Sequence, residues 1–498
     1  MINHCFSRVA LGAALLLTAS AVQAQHDMTG GGAAGGAAGG GGAESSSRGT
    51  VVRRPPRRPP ATRKTTTAPA RRGVTAEQYN AQGDSLFDAK NYDDALDAYL
   101  KAVALKPLSS AYYHIGWIYN DREDYDEALP PLQQAVRLNP NDAIAFNELG
   151  YSYRNLKQYP QAMDAYRRAI ALRADYATPY YQIGWIFNEQ KQYNEAVQSL
   201  RRATELRANY AEAYAELGYS YYKLKQSQPA ISAYQQAIQA KPDYGTAYLG
   251  LADTYYYQTK DYKEALTAYR QGVRYKDDSA EAFYNLAWCA NEFEQYAEAA
   301  AAARKAIALQ SNYPEAYVEL GYASRKLNAP NEAAVAYREA IRLKPNYAAA
   351  YTGLGDLNFI DLKKYEEAAT AYEQSITIAP NNARVRYNLG WSYNDLSRYS
   401  EAVPHLSEAV RMKPEDYKAH TELGYSLLKL HRLPMAMEEL RTAIRLKGDY
   451  SSAHLYLGLV FVEQRNKQGA QAQYAILRRI DPDKAKQLMD AVPANMRN

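Results

Sequence analysis

The chain has 498 residues, a formal net charge of +5 at pH 7 and two cysteines. One of them, Cys5, lies in a segment that we expect to be removed, so the mature chain would keep only Cys289 and no internal disulfide is possible. Nine Lys or Arg residues and no acid lie within residues 48–73, which we name the basic arm, so the remaining chain is mildly acidic. The fold must therefore be stabilised by packing, and a disulfide scaffold is excluded.

The first 24 residues have the features of a secretory signal peptide. Arg8 precedes an apolar run over residues 9–22, which is too short to span a bilayer, and small residues suited to cleavage follow it. An uncleaved membrane anchor is the alternative, but Ser20 and Gln23 interrupt the apolar stretch early. We therefore predict a signal peptide over residues 1–24 and an exported protein, either periplasmic or secreted.

Residues 25–73 form a predicted linker that cannot bury a core. Residues 28–43 are almost entirely Gly and Ala, and the basic arm is rich in Pro and Arg, so we expect a flexible spacer followed by an extended segment. Two interpretations of the arm stay open. It either contacts a polyanion, such as an envelope polymer, lipid head groups or nucleic acid, or it is a soluble stalk.

A repeat of 33, 34 or 35 residues runs through the rest of the chain. A small residue recurs twelve times at this period, and an alanine follows each one after twelve residues, or after thirteen in the sixth and ninth repeats. A fixed period in this range indicates stacked supersecondary units. The small residues are Gly83, Gly116, Gly150, Gly184, Gly218, Ala252, Ala287, Gly321, Gly355, Gly390, Gly424 and Gly458.

Each repeat contains two apolar runs at helical spacing, separated by a polar turn, as in residues 146–156 and 160–172. This pattern predicts a helical hairpin. The small residue and the alanine lie where the two helices must approach closely, since a larger side chain would push their axes apart. A bulkier side chain four residues after the alanine, such as Tyr166, is expected to fill the space between the helices.

The segment AFNELGYSYRNLKQYPQAMDAYRRAIALRADY, which begins at Ala145, resembles the tetratricopeptide repeat family. When the repeat is counted from residue 143, it has that family's small residues at the eighth and twentieth positions, Gly150 and Ala162, and aromatic residues at the fourth, eleventh and twenty-fourth, Phe146, Tyr153 and Tyr166. The resemblance implies an all-α fold, a right-handed α-solenoid whose first helices line a concave groove that usually holds a peptide or a partner protein. We predict twelve repeats over residues 74–484 and a C-terminal cap and tail over residues 485–498.

Some positions depart from the family pattern. Arg386, His420 and His454 replace the aromatic residue at the fourth position, and Ala303 replaces the bulky residue of the seventh repeat. We expect looser packing at these places. The two histidines occupy the same position in adjacent repeats, so we interpret them as substitutes for a core aromatic residue, not as metal ligands.

The repeats fall into three types that recur with a larger period of 103 residues. Type D carries Asp84, Asp253 or Asp356 directly after the small residue, and type Y carries the string Glu-Leu-Gly-Tyr. Type W carries Tyr, Trp, Asn and an acid at fixed spacing, and contains all four Trp of the chain. One type D repeat is missing after the third repeat. The four type W sets are Tyr113, Trp117, Asn120 and Asp121; Tyr181, Trp185, Asn188 and Glu189; Tyr284, Trp288, Asn291 and Glu292; and Tyr387, Trp391, Asn394 and Asp395.

The spacing of these type W residues places them along one face of the first helix. Trp offers a large apolar surface, Asn can donate to and accept from a peptide backbone, and the acid would select Lys or Arg. We therefore predict a binding surface for an extended basic or Pro-rich segment. The alternative is a structural role, in which duplication copied the string, Trp packs between repeats, and the acids pair with Lys223, Lys326 and Lys429 of the following repeats.

Catalysis is not expected, because the chain has no phosphate-binding loop, nucleophile elbow or His-Glu-x-x-His motif, and we expect no cofactor and no metal. The leading hypothesis is an exported scaffold that binds partner proteins, including the narrower case in which the ligand is the basic arm of another copy. The alternatives are a module that binds or assembles envelope polysaccharide or peptidoglycan, since Trp also stacks on sugar rings, and a spacer without a specific ligand.

Overall fold

The computed structural model describes residues 73–493, and its regular structure in that range is helical, with no β-strand. The predicted signal peptide and nearly all of the predicted linker lie outside these residues. None of the described helices is both long and apolar enough to cross a membrane. The chain divides after Asp277 into two units, and each contains six helical hairpins, as the repeat pattern predicts.

The first unit consists of six hairpins. The first and second helices of each pair are α1 Ala76–Asp88 and α2 Tyr92–Leu105; α3 Ser109–Asp121 and α4 Tyr125–Leu138; α5 Ala143–Asn155 and α6 Tyr159–Leu172; α7 Ala177–Glu189 and α8 Tyr193–Leu206; α9 Ala211–Lys223 and α10 Ser227–Ala240; and α11 Gly245–Asp253 and α12 Tyr262–Tyr275.

The second unit consists of six further hairpins and one additional helix. The pairs are α13 Ala280–Glu292 and α14 Tyr296–Leu309; α15 Pro314–Lys326 and α16 Pro330–Leu343; α17 Ala348–Asp356 and α18 Tyr365–Ile378; α19 Ala383–Asp395 and α20 Tyr399–Met412; α21 Tyr417–Lys429 and α22 Leu433–Leu446; and α23 Ser451–Glu463 and α24 Lys467–Ile480. The additional helix, α25, spans Pro482–Ala491 and begins three residues before the predicted boundary of the cap.

The glycines of the repeat lie where the two helices of a hairpin meet. A Cβ added at Gly116 would lie 2.3 Å from Cγ of Leu132, and one at Gly150 would lie 2.6 Å from Cε1 of Tyr166. Distances this short leave no room for a methyl group, which explains the repeated glycine. In the last repeat the same role falls to the additional helix, because a Cβ at Gly458 would meet Leu488 at 2.5 Å.

Each hairpin turn contains one non-glycine residue in the left-handed region, with φ between 55° and 61°. The twelve positions are Lys90, Glu123, Lys157, Lys191, Lys225, Lys260, Glu294, Asn328, Lys363, Ser397, His431 and Arg465. The backbone N–H of the left-handed residue donates to a carbonyl near the end of the first helix, as from Lys157 to Arg154 at 2.9 Å. These bonds stabilise a left-handed backbone conformation that is energetically unfavourable for residues other than glycine.

The extra residue of the sixth and ninth repeats produces a π-helical segment. Helix α11 continues as a π-helix over Thr254–Thr259, and α17 continues as one over Leu357–Leu362. A π-helical turn takes up one more residue than an α-helical turn. The π-helical turn therefore accommodates the inserted residue at the end of the first helix. The left-handed turn residue, Lys260 or Lys363, directly follows the π-helical segment.

Within each unit, consecutive first helices pack against one another, whereas consecutive second helices do not come as close. The first helices therefore form the more closely spaced layer, and a stack curves toward its more closely spaced layer. The first helices, which carry the predicted binding residues, therefore form the inner side of each unit.

Three of the four residues that depart from the family pattern are buried, and Arg386 is half-buried. His420 bonds to the Glu439 carboxylate at 2.5 Å and to the Pro414 carbonyl at 3.0 Å, and His454 bonds to Gln473 at 2.7 Å and to a backbone carbonyl at 3.0 Å. The histidines thus join the first helix to the second helix and to the preceding turn. Ala303 is fully buried, as is the thiol of Cys289.

Candidate functional site

The four Trp side chains differ in exposure. Trp391 is 36% exposed, Trp117 and Trp185 are half-buried, and Trp288 is buried at 8%. Each of the first three also contacts the preceding repeat. The Trp117 ring centroid lies 4.8 Å from that of Phe87, the Trp391 centroid lies 5.1 Å from that of Phe359, and Trp185 contacts Arg154. Three of the four indoles are therefore partly exposed and also pack against the preceding repeat.

The four type W asparagines are buried between repeats. Asn188 is 5% exposed, and its Nδ2 donates to the backbone carbonyl of Glu216 at 3.2 Å and to Oε2 of the same residue at 2.8 Å. Oδ1 of Asn188 accepts from the Ser220 hydroxyl at 2.7 Å. The same three contacts join Asn120 to Glu148 and Ser152, and Asn394 to Glu422 and Ser426.

The amide groups are thus occupied by the next repeat, so we correct the prediction that these asparagines face a peptide backbone. One first helix covers the amide on the neighbouring first helix. The string Glu-Leu-Gly-Tyr-Ser of the type Y repeats supplies both partners, and its Glu and Ser lie four residues apart on one helix face.

The fourth asparagine differs from the other three in one contact. Asn291 donates to the Glu319 carbonyl at 3.2 Å and to its Oε2 at 2.7 Å, but Ala323 replaces the serine. Oδ1 of Asn291 is consequently buried without a hydrogen-bond partner. Asn291 therefore makes two of the three hydrogen bonds that each of the other type W asparagines makes, and the two arrangements can be compared within one chain.

The remaining predicted site residues lie around these amides. Tyr181 is buried at 2%, whereas Tyr113, Tyr284 and Tyr387 are half-buried. The acids are more accessible, because Asp121, Glu189 and Asp395 are exposed and Glu292 is half-buried.

The proposed pairing of acids with lysines of the next repeat does not occur at two of these acids. Within residues 73–493, neither Glu189 nor Asp395 takes part in an ion pair. Lys429 instead lies 5.5 Å from the ring centroid of Tyr425. Exposed carboxylates are thus left at the ends of first helices in each unit.

The aspartates of the type D repeats have a structural partner. The hydroxyl of Tyr99 donates to Asp84 at 2.8 Å, and that of Tyr372 donates to Asp356 at 2.8 Å. In both cases the donor is the bulky residue that fills the hairpin. Asp356 also forms an ion pair with Arg384 at 2.8 Å. Type D repeats are therefore explained by packing, and we assign no ligand to their aspartates.

Tyrosines that the pattern did not single out extend the aromatic surface. The Tyr of each Glu-Leu-Gly-Tyr string takes the position of the Trp, and its ring meets a Tyr at the start of the preceding second helix. The ring centroids are 6.0 Å apart for Tyr125 and Tyr151, 6.2 Å for Tyr193 and Tyr219, 6.1 Å for Tyr296 and Tyr322, and 5.8 Å for Tyr399 and Tyr425. With the three partly exposed indoles they form what we name the aromatic row: Trp117, Tyr151, Trp185 and Tyr219 in the first unit, and Tyr322, Trp391 and Tyr425 in the second.

Burial affects the type Y glutamates strongly. It raises the pKa of both Glu216 and Glu422 to about 7, although the hydrogen bond from the neighbouring asparagine opposes the shift. Burial also raises the pKa of Glu148. A carboxyl whose pKa is higher in the folded state than in the unfolded chain contributes stability that is complete below the unfolded pKa. That contribution is lost as the pH rises through the folded pKa, here between about 4.3 and 7.

We predict that Glu216→Gln stabilises the protein at pH 8 by about 2 kcal/mol and has little effect at pH 5, because the neutral amide can still accept from Asn188 without a buried charge. Thermal unfolding at both pH values checks this. The exposed Glu195→Gln is the control and should leave the difference between pH 5 and pH 8 unchanged. Equal effects of Glu216→Gln at the two pH values would contradict the prediction.

Stacked helical hairpins that bury bulky residues against glycines define the class of helical repeat proteins. Family models described as tetratricopeptide repeat match residues 80–131, 113–177, 249–314, 387–451 and 422–485, residues 347–415, and residues 211–244 and 314–347. A model described as TPR repeat matches residues 184–225. The chain belongs to the tetratricopeptide repeat family. The presence of these repeats indicates that the protein is a protein-binding scaffold.

Three known proteins illustrate the extent of the similarity. The heat shock protein STI1 of Saccharomyces cerevisiae is 29% identical over 76 residues, which are 15% of this chain and 13% of that protein. The structure of YrrB, described as a TPR protein with an unusual peptide-binding site, is 23% identical and covers 38% of this chain and 99% of its own, with a TM-score of 0.36. Pseudomonas aeruginosa pilF is 23% identical and covers 42% and 94%, with a TM-score of 0.39.

Proposed function

We propose that this protein is an exported scaffold that binds extended segments of partner proteins along the aromatic row. The observation that carries the proposal is the exposure of that row on the inner side of each unit, where Tyr219 is 37% exposed and Trp391 is 36% exposed. Large aromatic side chains at a surface contribute most of the binding energy in many protein interfaces. Export rests on the predicted signal peptide.

The charge beside the row favours a basic ligand. Asp121, Glu189 and Asp395 are exposed and follow the half-exposed indoles by one helical turn. Because neither Glu189 nor Asp395 has an ion-pair partner within residues 73–493, a Lys or Arg of the ligand would meet an available carboxylate. A Pro-rich backbone suits such a surface, since a preformed extended segment loses little entropy on binding. The basic arm of a second copy meets both requirements and is the narrower form of the proposal.

A comparison of two Trp variants tests this function. Trp391→Ala is expected to raise the Kd for an Arg-Pro repeat peptide about tenfold, because it removes an exposed indole. Trp288→Phe changes the buried indole and should leave the Kd within about twofold of the wild type. Calorimetric titration gives both constants, and circular dichroism checks that the helices are retained.

An unchanged Kd in Trp391→Ala would contradict the proposed surface. Titration of the wild type with glycan fragments separates the alternatives. Binding of glycans but not of peptides would favour the envelope polysaccharide module, and binding of neither would favour a spacer.

A further inference from the structure

We propose that three consecutive hairpin turns of the first unit form a docking surface for a linear acidic polysaccharide. A Lys-Gln pair lies at the same place in the third, fourth and fifth repeats, and we name these six residues the turn ridge: Lys157 and Gln158, Lys191 and Gln192, and Lys225 and Gln226. The turn ridge lies between the helices of each hairpin and shares no residue with the aromatic row. The inference therefore goes beyond the proposed function.

The three lysines of the turn ridge occupy a backbone conformation that suits glycine better. Their φ angles are 59° or 60°, in the left-handed region, which glycine adopts without the steric penalty that a side chain brings. The turn uses only the backbone N–H of each lysine, which donates to the carbonyl three residues earlier at 2.9 or 3.0 Å. The turn itself therefore does not require a lysine side chain, and a strained residue without a structural role indicates a functional one.

The side chains of the turn ridge are not engaged by the rest of the protein. All three lysines are exposed, and within residues 73–493 none of them forms an ion pair or a side-chain hydrogen bond. The three glutamine amides likewise make no hydrogen bond in that range, and two of them are exposed and one is half-buried. Nζ of Lys225 lies 5.6 Å from the ring centroid of Tyr222. The ridge thus presents cations and amides to a ligand.

The positive charge is concentrated in these turns. Residues 155–158, 189–192 and 223–226 contain four lysines and one acid, whereas the turn before them, residues 121–124, contains three acids and one arginine. The sixth repeat extends the charge with Lys260, whose pKa is lowered by partial burial and by the charge of Lys225. Lysines of these two adjacent repeats are therefore close enough to repel each other, and a bound anion would relieve that repulsion.

The Lys-Gln pair does not follow the repeat types. The third and fifth repeats are of type Y and the fourth is of type W, yet all three carry it. At the same two positions the other type W repeats have Glu123-Asp124, Glu294-Gln295 and Ser397-Arg398, and the other type Y repeats have Asn328-Ala329 and His431-Arg432. Duplication of the type strings therefore does not account for the pair, and its restriction to three consecutive repeats indicates one shared local role.

A polymer with a repeating unit fits three identical positions. Consecutive first helices of the unit pack against one another, so the pairs recur at the distance between packed helix axes, about 8–10 Å, which is close to the length of a disaccharide unit. Lysine meets a carboxylate as a hydrated point charge, and a glutamine amide both donates to and accepts from sugar hydroxyls. A membrane surface fits less well, because none of the large apolar side chains that are exposed among the described residues lies in these three turns.

Lysine acetylation followed by mass spectrometry tests the ridge residue by residue in the full chain, where the basic arm also attracts anions. Polygalacturonate, which has a carboxylate on every sugar, is expected to slow the acetylation of Lys157, Lys191 and Lys225 about threefold or more at low salt, and neutral dextran should not. Lys363 is the control, because it is exposed at the same turn position of the second unit and should keep its rate. Unchanged rates at the three ridge lysines would overturn the proposal.

A triple variant separates binding from folding. Lys157→Gly, Lys191→Gly and Lys225→Gly together should raise the Kd for polygalacturonate about fivefold, while the midpoint of thermal unfolding is retained or rises, because glycine relieves the left-handed strain. The matched control changes three basic residues of the same backbone conformation outside the ridge to glycine, and its Kd should stay within about twofold of the wild type. These residues are Lys90, Lys363 and Arg465. Equal losses of affinity in the two variants would show that only net charge matters and would overturn the proposal.

Two further anions identify the source of the charge. Poly-glutamate, or vesicles of an anionic phospholipid, would overturn the assignment to a polysaccharide if either protected the ridge lysines as strongly as polygalacturonate at equal charge. Trp391→Ala leaves the ridge intact and should leave the Kd for polygalacturonate unchanged. Failure of the ridge and failure of the proposed function are therefore distinguishable, because the Arg-Pro peptide reports on the aromatic row alone.

Discussion

Asn188→Ala is expected to lower the free energy of unfolding by about 3 kcal/mol. The substitution removes two hydrogen bonds to Glu216 and one from Ser220, and it leaves the Ser220 hydroxyl, which is fully buried, without its inter-repeat partner. A buried polar group that loses its partner costs about 1–3 kcal/mol. Denaturant unfolding followed by circular dichroism at pH 7 measures the loss.

Asn291→Ala is the matched control for this prediction. Its wild-type side chain lacks the serine bond and already carries an unpaired Oδ1, so the substitution should cost about 1 kcal/mol less than Asn188→Ala. Losses of equal size would show that the serine bond contributes nothing. A loss below about 0.5 kcal/mol in Asn188→Ala would contradict the role of the amide in joining the repeats.

Gly116→Ala is expected to destabilise the protein by about 2–3 kcal/mol, because the new methyl group would lie 2.3 Å from Cγ of Leu132 and 2.8 Å from its Cδ2. Leu132 is fully buried, so it cannot move aside without disturbing the hairpin. The midpoint of thermal or denaturant unfolding measures the effect.

Gly448→Ala is the control for the close approach. Its nearest neighbour to an added Cβ is the Ile444 carbonyl oxygen at 3.8 Å, which is an ordinary contact, so we expect a change within about 0.5 kcal/mol. The double substitution Gly116→Ala with Leu132→Ala should cost less than the sum of the single ones, because the second removes the clash that the first creates. If the losses in the free energy of unfolding were additive, the contact between residue 116 and Leu132 would not be the source of the strain.

Much of the fold follows from the sequence because the repeat constrains the packing directly. The spacing of Gly116 and Gly150 predicts where helices approach, and the Leu132 and Tyr166 contacts confirm it. The longer spacing after Ala252 predicts an inserted residue but not its form. Whether an inserted residue forms a loop or a π-helical turn depends on how the end of α11 packs. The spacing of residues along the sequence does not give that packing.

The candidate site was harder to predict because helical periodicity gives the direction of a side chain but not what covers it. Asn188 and Trp185 share a face, yet the first is sealed by Glu216 and the second is half-exposed. A signal for the sealed amide was present in Ser220, which recurs at the same position in three type Y repeats.

The π-helical segments have a consequence for how this chain can lengthen. Thr254–Thr259 and Leu357–Leu362 each take in a surplus residue before the hairpin reverses, and the left-handed Lys260 and Lys363 then restart the second helix as elsewhere. The repeats that follow keep their helix boundaries and packing positions. One residue can therefore be inserted at this point without requiring changes in the neighbouring repeats. Two repeats can therefore differ in length while the contacts between the following repeats are retained.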